Sequence, residues 1–121
     1  MNLTRLAYDQ RPRPYQRDLR QSNVFDSGGR LIGRVQNVYV DDDRHLRFLG
    51  VAMRRGSLVF LPKQHLVPVE VIAGEDPVSI TLTVDQQTVE SAPTLDDPHA
   101  APGEGLQRAA REHCGLAADL L

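Results

Sequence analysis

Residues 24–84 run VFDSGGRLIGRVQNVYVDDDRHLRFLGVAMRRGSLVFLPKQHLVPVEVIAGEDPVSITLTV. Short apolar segments alternate in this stretch with turns built from Gly, Asp and Pro, and no helical pattern lies between them. Strands of this length and spacing are typical of a small antiparallel β-barrel or sandwich. The sequence therefore predicts a mainly β fold, with the β-domain at about residues 20–91.

Glycines mark the sharpest features of this domain. Gly28 and Gly29 lie in a turn between two apolar segments, where glycine supplies the positive φ that a tight hairpin requires. Gly33 lies inside a strand pattern, which indicates a bulge or a close approach of another main chain. These three positions are therefore predicted to be structural and not part of a binding site.

The spacing of Val35 and Val38 favours closure of the sheet into a barrel. A regular strand would direct residues three apart to opposite faces. An irregularity at residues 36–37 would return both valines to the core and bend the strand around a corner. Small barrels need such corners, so the spacing predicts a bulged strand in a closed barrel.

The second half of the chain is simpler. Residues 78–84 alternate apolar and polar, which predicts a strand with one buried face. Pro68 lacks a main-chain donor, so the segment from Leu66 to Ile72 is predicted to be an edge strand or a turn that leads into one. Residues 92–103 are rich in proline and form a predicted linker, and residues 104–121 follow as a short C-terminal α-helix.

Several motifs in order carry a resemblance to a known family. They are Val24-Phe25, Asp26-Ser27-Gly28-Gly29, Ile32-Gly33-Arg34-Val35, Val38-Tyr39-Val40, Asp41-Asp42-Asp43, Leu66-Val67-Pro68 and the strand from Val78 to Val84, followed by a linker after Pro93 and a helix that ends near His113-Cys114-Gly115. Over about residues 20–115 the chain resembles the PRC-barrel domain family.

The resemblance implies a barrel that docks other proteins without catalysis. Members of the family occur in the cytoplasmic part of the photosynthetic reaction-centre H subunit, in a ribosome-maturation factor that binds a ribosomal protein, and as small stand-alone proteins. This chain is similar to the stand-alone members, because it has neither the transmembrane helix of the first nor the additional N-terminal barrel of the second.

Charge is distributed unevenly along the chain. Residues 1–20 contain five Arg and two Asp, whereas residues 85–121 contain two Arg and seven acidic residues. Two Arg-Pro pairs at residues 11–14 disfavour helix and favour an extended chain. Residues 1–19 are therefore predicted to be a flexible basic arm, and the simpler interpretation of both ends is solvated termini.

Residues with catalytic or metal-binding chemistry are scattered. His45, His65, His99 and His113 lack the spacing of a zinc site, and residues 41–43 lack the calcium-loop pattern. The single Cys114 excludes an internal disulfide and fits a reducing cytoplasm. We therefore expect a cytoplasmic protein with no cofactor, no metal and no catalytic activity. No apolar run approaches the ~20 residues of a membrane span.

A group of arginines forms the one candidate binding surface: Arg30, Arg34, Arg44, Arg47, Arg54 and Arg55, with Tyr39, Phe48 and Phe60 nearby. Arginines beside aromatic rings are typical of RNA contacts, but they also bind acidic protein surfaces. The pI of about 6 disfavours nucleic acid. The sequence predicts a protein-binding adaptor. An exposed edge and an apolar tail must be covered, so we also expect a homodimer. An RNA- or ribosome-associated factor is the alternative, and an enzyme is the least favoured class.

Overall fold

The computed structural model describes residues 1–7, 9–15, 17–55, 59–97 and 99–117, with the main chain alone for residue 55 and residues 59–62. Within these residues the strands are β1 Thr4–Arg5, β2 Asn23–Phe25, β3 Leu31–Val40, β4 Leu46–Arg55, β5 Val59–Pro68, β6 Ile72–Asp76, β7 Ser79–Leu82 and β8 Thr94–Leu95, and the helices are a 3-10 turn at Val69–Val71, α1 Gln86–Glu90 and α2 Glu104–His113. In these ranges no helix has the length and apolar character needed to cross a membrane.

The strands form one sheet in the order β6-β7-β2-β3-β4-β5-β8, and β1 pairs with the end of β3. The mainly β fold with a short C-terminal helix is confirmed, but the prediction of a closed antiparallel barrel is wrong. Within the described ranges the outermost strands, β6 and β8, do not pair with each other. Closure needs a shared ladder between the outermost strands, and β8 has only two residues, both paired with β5. In addition, β2 and β7 are parallel, with Val24 opposite Ile80.

The main core lies on one face of this sheet. Val35 of β3, Leu49 and Val51 of β4 and Ile80 of β7 are all completely buried there. A smaller apolar cluster lies on the opposite face, where Ala110 of α2 packs with side chains of β3, β4 and β5. The central strands are therefore covered on both faces, which explains their nearly continuous apolar character.

The predicted irregularity in β3 is present. Val35 pairs with Val51 and Asn37 pairs with Gly50, so Gln36 is an extra residue relative to β4. Because of this extra residue, side chains three positions apart on either side of the bulge point to the same face of the sheet. Val35 and Val38 consequently both lie in the main core, as the spacing predicted.

Two of the predicted turn and strand glycines have clear structural reasons. Gly29 has a φ of 81° in the turn between β2 and β3, a conformation that disfavours other residues. Gly33 lies against β4, where a Cβ would be 2.3 Å from the main-chain oxygen of Ala52. Gly28, in the same turn as Gly29, has room for a Cβ at 3.5 Å from Asp26 Oδ1.

The segment around Pro68 contains a turn that leads into a strand, which is one of the two alternatives that the sequence left open. One ten-residue strand, β5, runs through to Pro68, which pairs with Phe48 at its last position. The 3-10 turn at Val69–Val71 then leads into β6. Pro68 therefore ends a strand and begins a turn, a position that requires no main-chain donor.

The described residues among the first 19, a segment predicted to be a flexible basic arm, lie along the sheet. Thr4 pairs with Val40, and Leu6 and Leu19 are buried in the main core. The main chain of Arg13 also pairs beside His45, because its N–H donates to the Arg44 oxygen at 2.7 Å and its oxygen accepts from Leu46 at 2.9 Å. Isolated leucines in a polar, proline-containing segment give no periodic pattern, so the sequence does not show this packing.

The C-terminal part also differs in detail. The predicted linker at residues 92–103 contains β8, and α2 ends at His113, not at residue 121. Gly115, with a φ of 78°, follows the helix, whose end lies near His113-Cys114-Gly115 as the resemblance implied. Residues 118–121 of the predicted helix lie outside the described residues.

Candidate functional site

The arginines of the predicted binding surface do not form one patch. Arg30 precedes β3 and Arg55 ends the antiparallel β4, so both lie at one end of this strand pair. Arg44 and Arg47 lie at the turn that joins the opposite ends of the two strands. Ten residues of β3 separate the groups, which is about 30 Å. Arg34 lies between them, on β3 opposite Ala52.

The turn at the Arg44 end is organised internally. Asp41 Oδ1 accepts the N–H groups of Asp43 at 2.9 Å and His45 at 3.0 Å, and Oδ2 accepts from Arg47 at 2.9 Å. Burial alone would raise the pKa of Asp41, but these hydrogen bonds outweigh it and lower the pKa. Ligand atoms of Asp41, Asp43 and His45 lie within 4.8 Å of one another. Because both Asp41 oxygens already bind donors, this turn has a structural role.

The other group lies at what we call the basic–apolar end, defined by Arg30, Leu31, Arg54 and the adjoining hairpin of β4 and β5. Arg30 and Arg54 are exposed, and Leu31 is 37% exposed beside them, one of the few large apolar side chains at the described surface. The side chain of Arg55 lies outside the described residues. Basic and apolar side chains are thus presented together at this end of the sheet.

The pairing of β4 with β5 continues past the pairs that these strands make with their outer neighbours. The last pair between β3 and β4 joins Gly33 to Met53, whereas β4 and β5 continue to pair from Arg54 opposite Phe60 to Arg55 opposite Val59. On the other side, β8 pairs with only Gln64 and His65 of β5. In the described main chain, residues 54–55 and 59–63 therefore form a two-stranded ribbon without a third strand, which we call the ribbon.

The aromatic residues that RNA binding would use are not available on β3 and β4. Tyr39 is completely buried and Phe48 is 3% exposed, and both belong to the cluster that includes Ala110 of α2. Stacking with a base requires an exposed ring face. The side chain of the third aromatic, Phe60, lies outside the described residues.

A polar cleft of about 420 Å³ lies on a different part of β3, and the sequence did not point to it. It is lined by Arg5, Leu6, Ala7, Asp18, Arg20, Gln21, Gln36 and Asn37. Two segments approach β3 here and then diverge: Leu6 donates to the Val38 oxygen at 2.9 Å, and Gln21 donates to the Val35 oxygen at 2.8 Å. The cleft opens between these two attachments, at the bulge.

Arg20 forms one wall of this polar cleft. Its Nη1 donates to the Leu6 oxygen at 3.0 Å and its Nη2 donates to the Ala7 oxygen at 3.0 Å, while Nε donates to Asp18 at 2.8 Å. Burial would raise the pKa of Asp18, but the hydrogen bonds and charge of Arg20 lower it on balance. Asp18 is therefore ionised at neutral pH and partly offsets the positive charge of Arg5 and Arg20, the two arginines that line the cleft.

A buried amide pair lies behind the polar cleft. Asn37 Nδ2 donates to Gln64 Oε1 at 3.0 Å, and Gln64 is 1% exposed. Gln64 lies against Gly50, where a Cβ would be 2.2 Å from Oε1. Gln64 Nε2 has no hydrogen-bond partner among the described residues. Asn37, beside the bulge, thus lies between the polar cleft and the buried side chain of Gln64.

The histidines and the cysteine belong to separate contacts. His65 Nδ1 is 3.2 Å from the Ala92 oxygen, and His113 Nε2 is 2.8 Å from the Thr88 oxygen. His99 is exposed in the loop before α2. Cys114 caps α2, and burial raises the pKa of its thiol. A thiol with a raised pKa is a poor nucleophile at neutral pH.

The fold and these surfaces define a small β-sheet protein with one basic–apolar end and one polar cleft. A family model described as the PRC-barrel domain matches residues 14–88, and the chain belongs to this family. No curated protein sequence matches it. Membership of this family suggests a general binding module, as the resemblance drawn from the sequence also implies.

Proposed function

We propose that this chain is a non-catalytic protein-binding module that uses its basic–apolar end to dock an acidic, apolar surface of a partner protein. The observation that carries the proposal is the ribbon, because its pairs lie beyond the last pairs that β4 makes with β3 and that β5 makes with β8 among the described residues. A two-stranded ribbon is marginally stable alone in water and favours covering by another surface.

The composition of this end supports a partner with both acidic and apolar character. No Asp or Glu occurs from Arg44 to Val69, a segment that includes the whole ribbon. The sequence at residues 58–61 is Leu-Val-Phe-Leu, and consecutive apolar residues are typical of strands that are covered on both faces. Basic groups around an apolar centre match the usual anatomy of a protein interface, with arginine prominent among its anchoring residues.

An RNA partner is less well supported. Five of the six arginines lie in two groups at opposite ends of β3, and the two aromatic rings described near them are buried. A catalytic role also lacks support, because the histidines lie in separate contacts and burial raises the pKa of the Cys114 thiol. A second copy of the chain, which would form a homodimer, is the other protein occupant that the test must distinguish.

Site-specific photo-crosslinking in the native cell tests the proposal. Leu31 is replaced with benzoylphenylalanine, and exposed Asp42, in the turn at the opposite end of β3, carries the same group as a control. We expect a discrete protein adduct from position 31 that survives ribonuclease, and no adduct of this mass from position 42. An adduct that disappears with ribonuclease, or equal labelling from both positions, would overturn the proposal.

Charge reversal then tests the chemistry of the surface. The variant Arg54→Glu/Arg55→Glu is expected to abolish the adduct from position 31. The variant Arg11→Glu/Arg108→Glu changes the net charge equally at exposed positions elsewhere and is expected to leave the adduct intact. Sedimentation of the purified chain identifies a homodimer: a dimer that Arg54→Glu/Arg55→Glu converts to a monomer would assign the surface to a second copy and overturn the partner proposed here.

A further inference from the structure

We propose that the polar cleft beside the β3 bulge binds a small carboxylate that also carries a hydroxyl or ammonium group. This inference is independent of the proposed protein-docking surface, because the cleft lies between the N-terminal segment and β3 and shares no residue with the basic–apolar end. Its volume of about 420 Å³ falls within the range of small-molecule sites.

The lining charges favour an anion. Arg5 and Arg20 contribute two guanidinium groups, and Asp18 is the one carboxylate among the lining residues. Arg20 already donates to Asp18 and to the oxygens of Leu6 and Ala7, so it supplies positive potential to the cleft and not a new hydrogen bond. A concave site with an excess of positive charge concentrates small anions.

The side-chain amides that line the cleft indicate which hydrogen-bonding groups the ligand needs besides its carboxylate. Gln21 Oε1 accepts from Arg34 Nη1 at 3.4 Å, which leaves the Nε2 group of Gln21 as a donor for a carboxylate. Asn37 Nδ2 donates to Gln64, which leaves Oδ1 as an acceptor. A ligand that satisfies both needs an acceptor and a donor, as in a hydroxy acid or an amino acid. Gln36, the exposed bulge residue, adds a third amide at the rim.

The main-chain conformation of Gln21 also supports a binding role. Gln21 has a φ of 71°, a conformation that glycine would adopt at a lower cost. Its side chain makes one long hydrogen bond, at 3.4 Å, to an exposed part of Arg34. A strained residue whose side chain contributes little to packing is typical of functional sites.

Two matched glycine variants separate a binding role from a structural one. Gln21→Gly removes the amide and relieves the positive φ, so the fold is expected to be at least as stable as the wild type. Arg44→Gly relieves a similar φ of 63° in the turn at the far end of β3 and serves as the control. Main-chain ¹H–¹⁵N signals that match the wild type in both variants would assign a loss of binding in Gln21→Gly alone to the missing amide.

The experiment is a titration of the full chain with malate, aspartate and succinate, followed through the side-chain amide signals of Gln21, Gln36 and Asn37 in ¹H–¹⁵N spectra. Malate or aspartate is expected to shift these signals saturably, and succinate, which lacks the donor, to bind about tenfold more weakly. Gln21→Gly should weaken malate binding about tenfold, and Arg44→Gly should bind as the wild type does. Unchanged amide signals with both malate and aspartate, or unchanged malate binding in Gln21→Gly, would overturn the proposal. Neither result would affect the crosslinking test of the docking surface.

Discussion

The carboxylate of Asp26 accepts the main-chain N–H of Gln86 at 3.0 Å, although 60 residues separate the two in sequence. Its other oxygen accepts the N–H groups of Gly28 at 3.0 Å and Arg30 at 2.9 Å. Asp26 is 3% exposed. Because Gln86 is the first residue of α1, its N–H has no partner within the helix. Asp26 therefore joins the β2–β3 turn to the start of α1.

Removal of the Asp26 carboxylate is expected to destabilise the fold. Asp26→Ala leaves three N–H groups without their acceptor, and hydrogen bonds to a charged group contribute about 1.5–3 kcal/mol each, so we expect a loss of about 3 kcal/mol or more in the free energy of unfolding. Asp26→Asn keeps one carbonyl oxygen and should lose less. Urea unfolding at neutral pH measures both. Asp42→Asn, in an exposed turn, is the control and should change the free energy by less than about 0.5 kcal/mol.

The effect of Asp26 also depends on pH. The Arg30 N–H is the largest cause that lowers the pKa of Asp26 in the folded protein. The unfolded carboxyl has a pKa of about 3.9, so the contribution of Asp26 is fully present above about pH 4 and is lost as the pH falls through the lower folded-state pKa. The difference in stability between wild type and Asp26→Asn should therefore shrink in acid. A difference that stays constant from neutral to acid pH would contradict this.

The strands that the sequence predicts best are those with a local pattern of burial. Residues 78–84 alternate in polarity, and β7 forms within them at Ser79–Leu82. Even there, Val78 is exposed at the turn where the alternation predicted burial. The spacing of Val35 and Val38 correctly indicated the bulge, because an apolar side chain on a strand indicates that its position is buried. Local patterns thus locate strands better than they locate the ends of strands.

The remaining features depend on contacts between distant residues. Val24 and Ile80 pair in parallel across a long stretch of chain, which no local pattern encodes. The polar cleft exists because the segments of Leu6 and Gln21 attach to β3 on either side of Gln36. Arginine spacing likewise does not show which end of a strand pair each side chain occupies. The family and the β content could therefore be predicted, whereas the open sheet and the cleft could not.

Three glycine-to-alanine variants should differ in the size and sign of their effect on the free energy of unfolding. Gly33→Ala places a Cβ 2.3 Å from the Ala52 oxygen, which is main chain and cannot move alone, so we expect a loss of about 1–3 kcal/mol. Gly50→Ala meets the end of the Gln64 side chain and should cost less, because Gln64 can shift while giving up its bond to Asn37. Gly105→Ala meets nothing within 4 Å in the first turn of α2 and should stabilise by up to about 1 kcal/mol, the difference between alanine and glycine in a helix interior.

The Gly50 prediction has an internal check. If the cost of Gly50→Ala comes from the clash with Gln64, then combining it with Gln64→Ala should cost less than the sum of the two single changes. Chemical unfolding of the four proteins in this cycle measures the coupling. Strict additivity would show that the extra methyl group is accommodated without disturbing Gln64.

The contacts of Arg111 are expected to hold α2 on the sheet. This buried side chain pairs with the carboxylate of Glu70 and donates through Nε to the Ala117 oxygen at 2.8 Å. Arg111→Ala should lower the stability of α2 by about 1–3 kcal/mol and accelerate its amide exchange, while β3 and β4 remain protected. Hydrogen exchange by mass spectrometry resolves the two regions. Exposed Arg108→Ala, three residues earlier on the same helix, should leave exchange in α2 much closer to that of the wild type.

Two arginines in the N-terminal segment should control different parts of the fold. Arg20 donates to the oxygens of Leu6 and Ala7, whereas Arg17 donates to Ser22 Oγ at 2.8 Å and to the Asp76 oxygen at 2.7 Å. Lysine lacks the planar fork of donors, so Arg20→Lys should release the first segment and speed exchange of the Leu6 amide about tenfold. Arg17→Lys should instead speed exchange near the β6–β7 turn. If both variants speed amide exchange in the same segment, a general loss of stability explains the result. The prediction that the two arginines hold different segments would then be wrong.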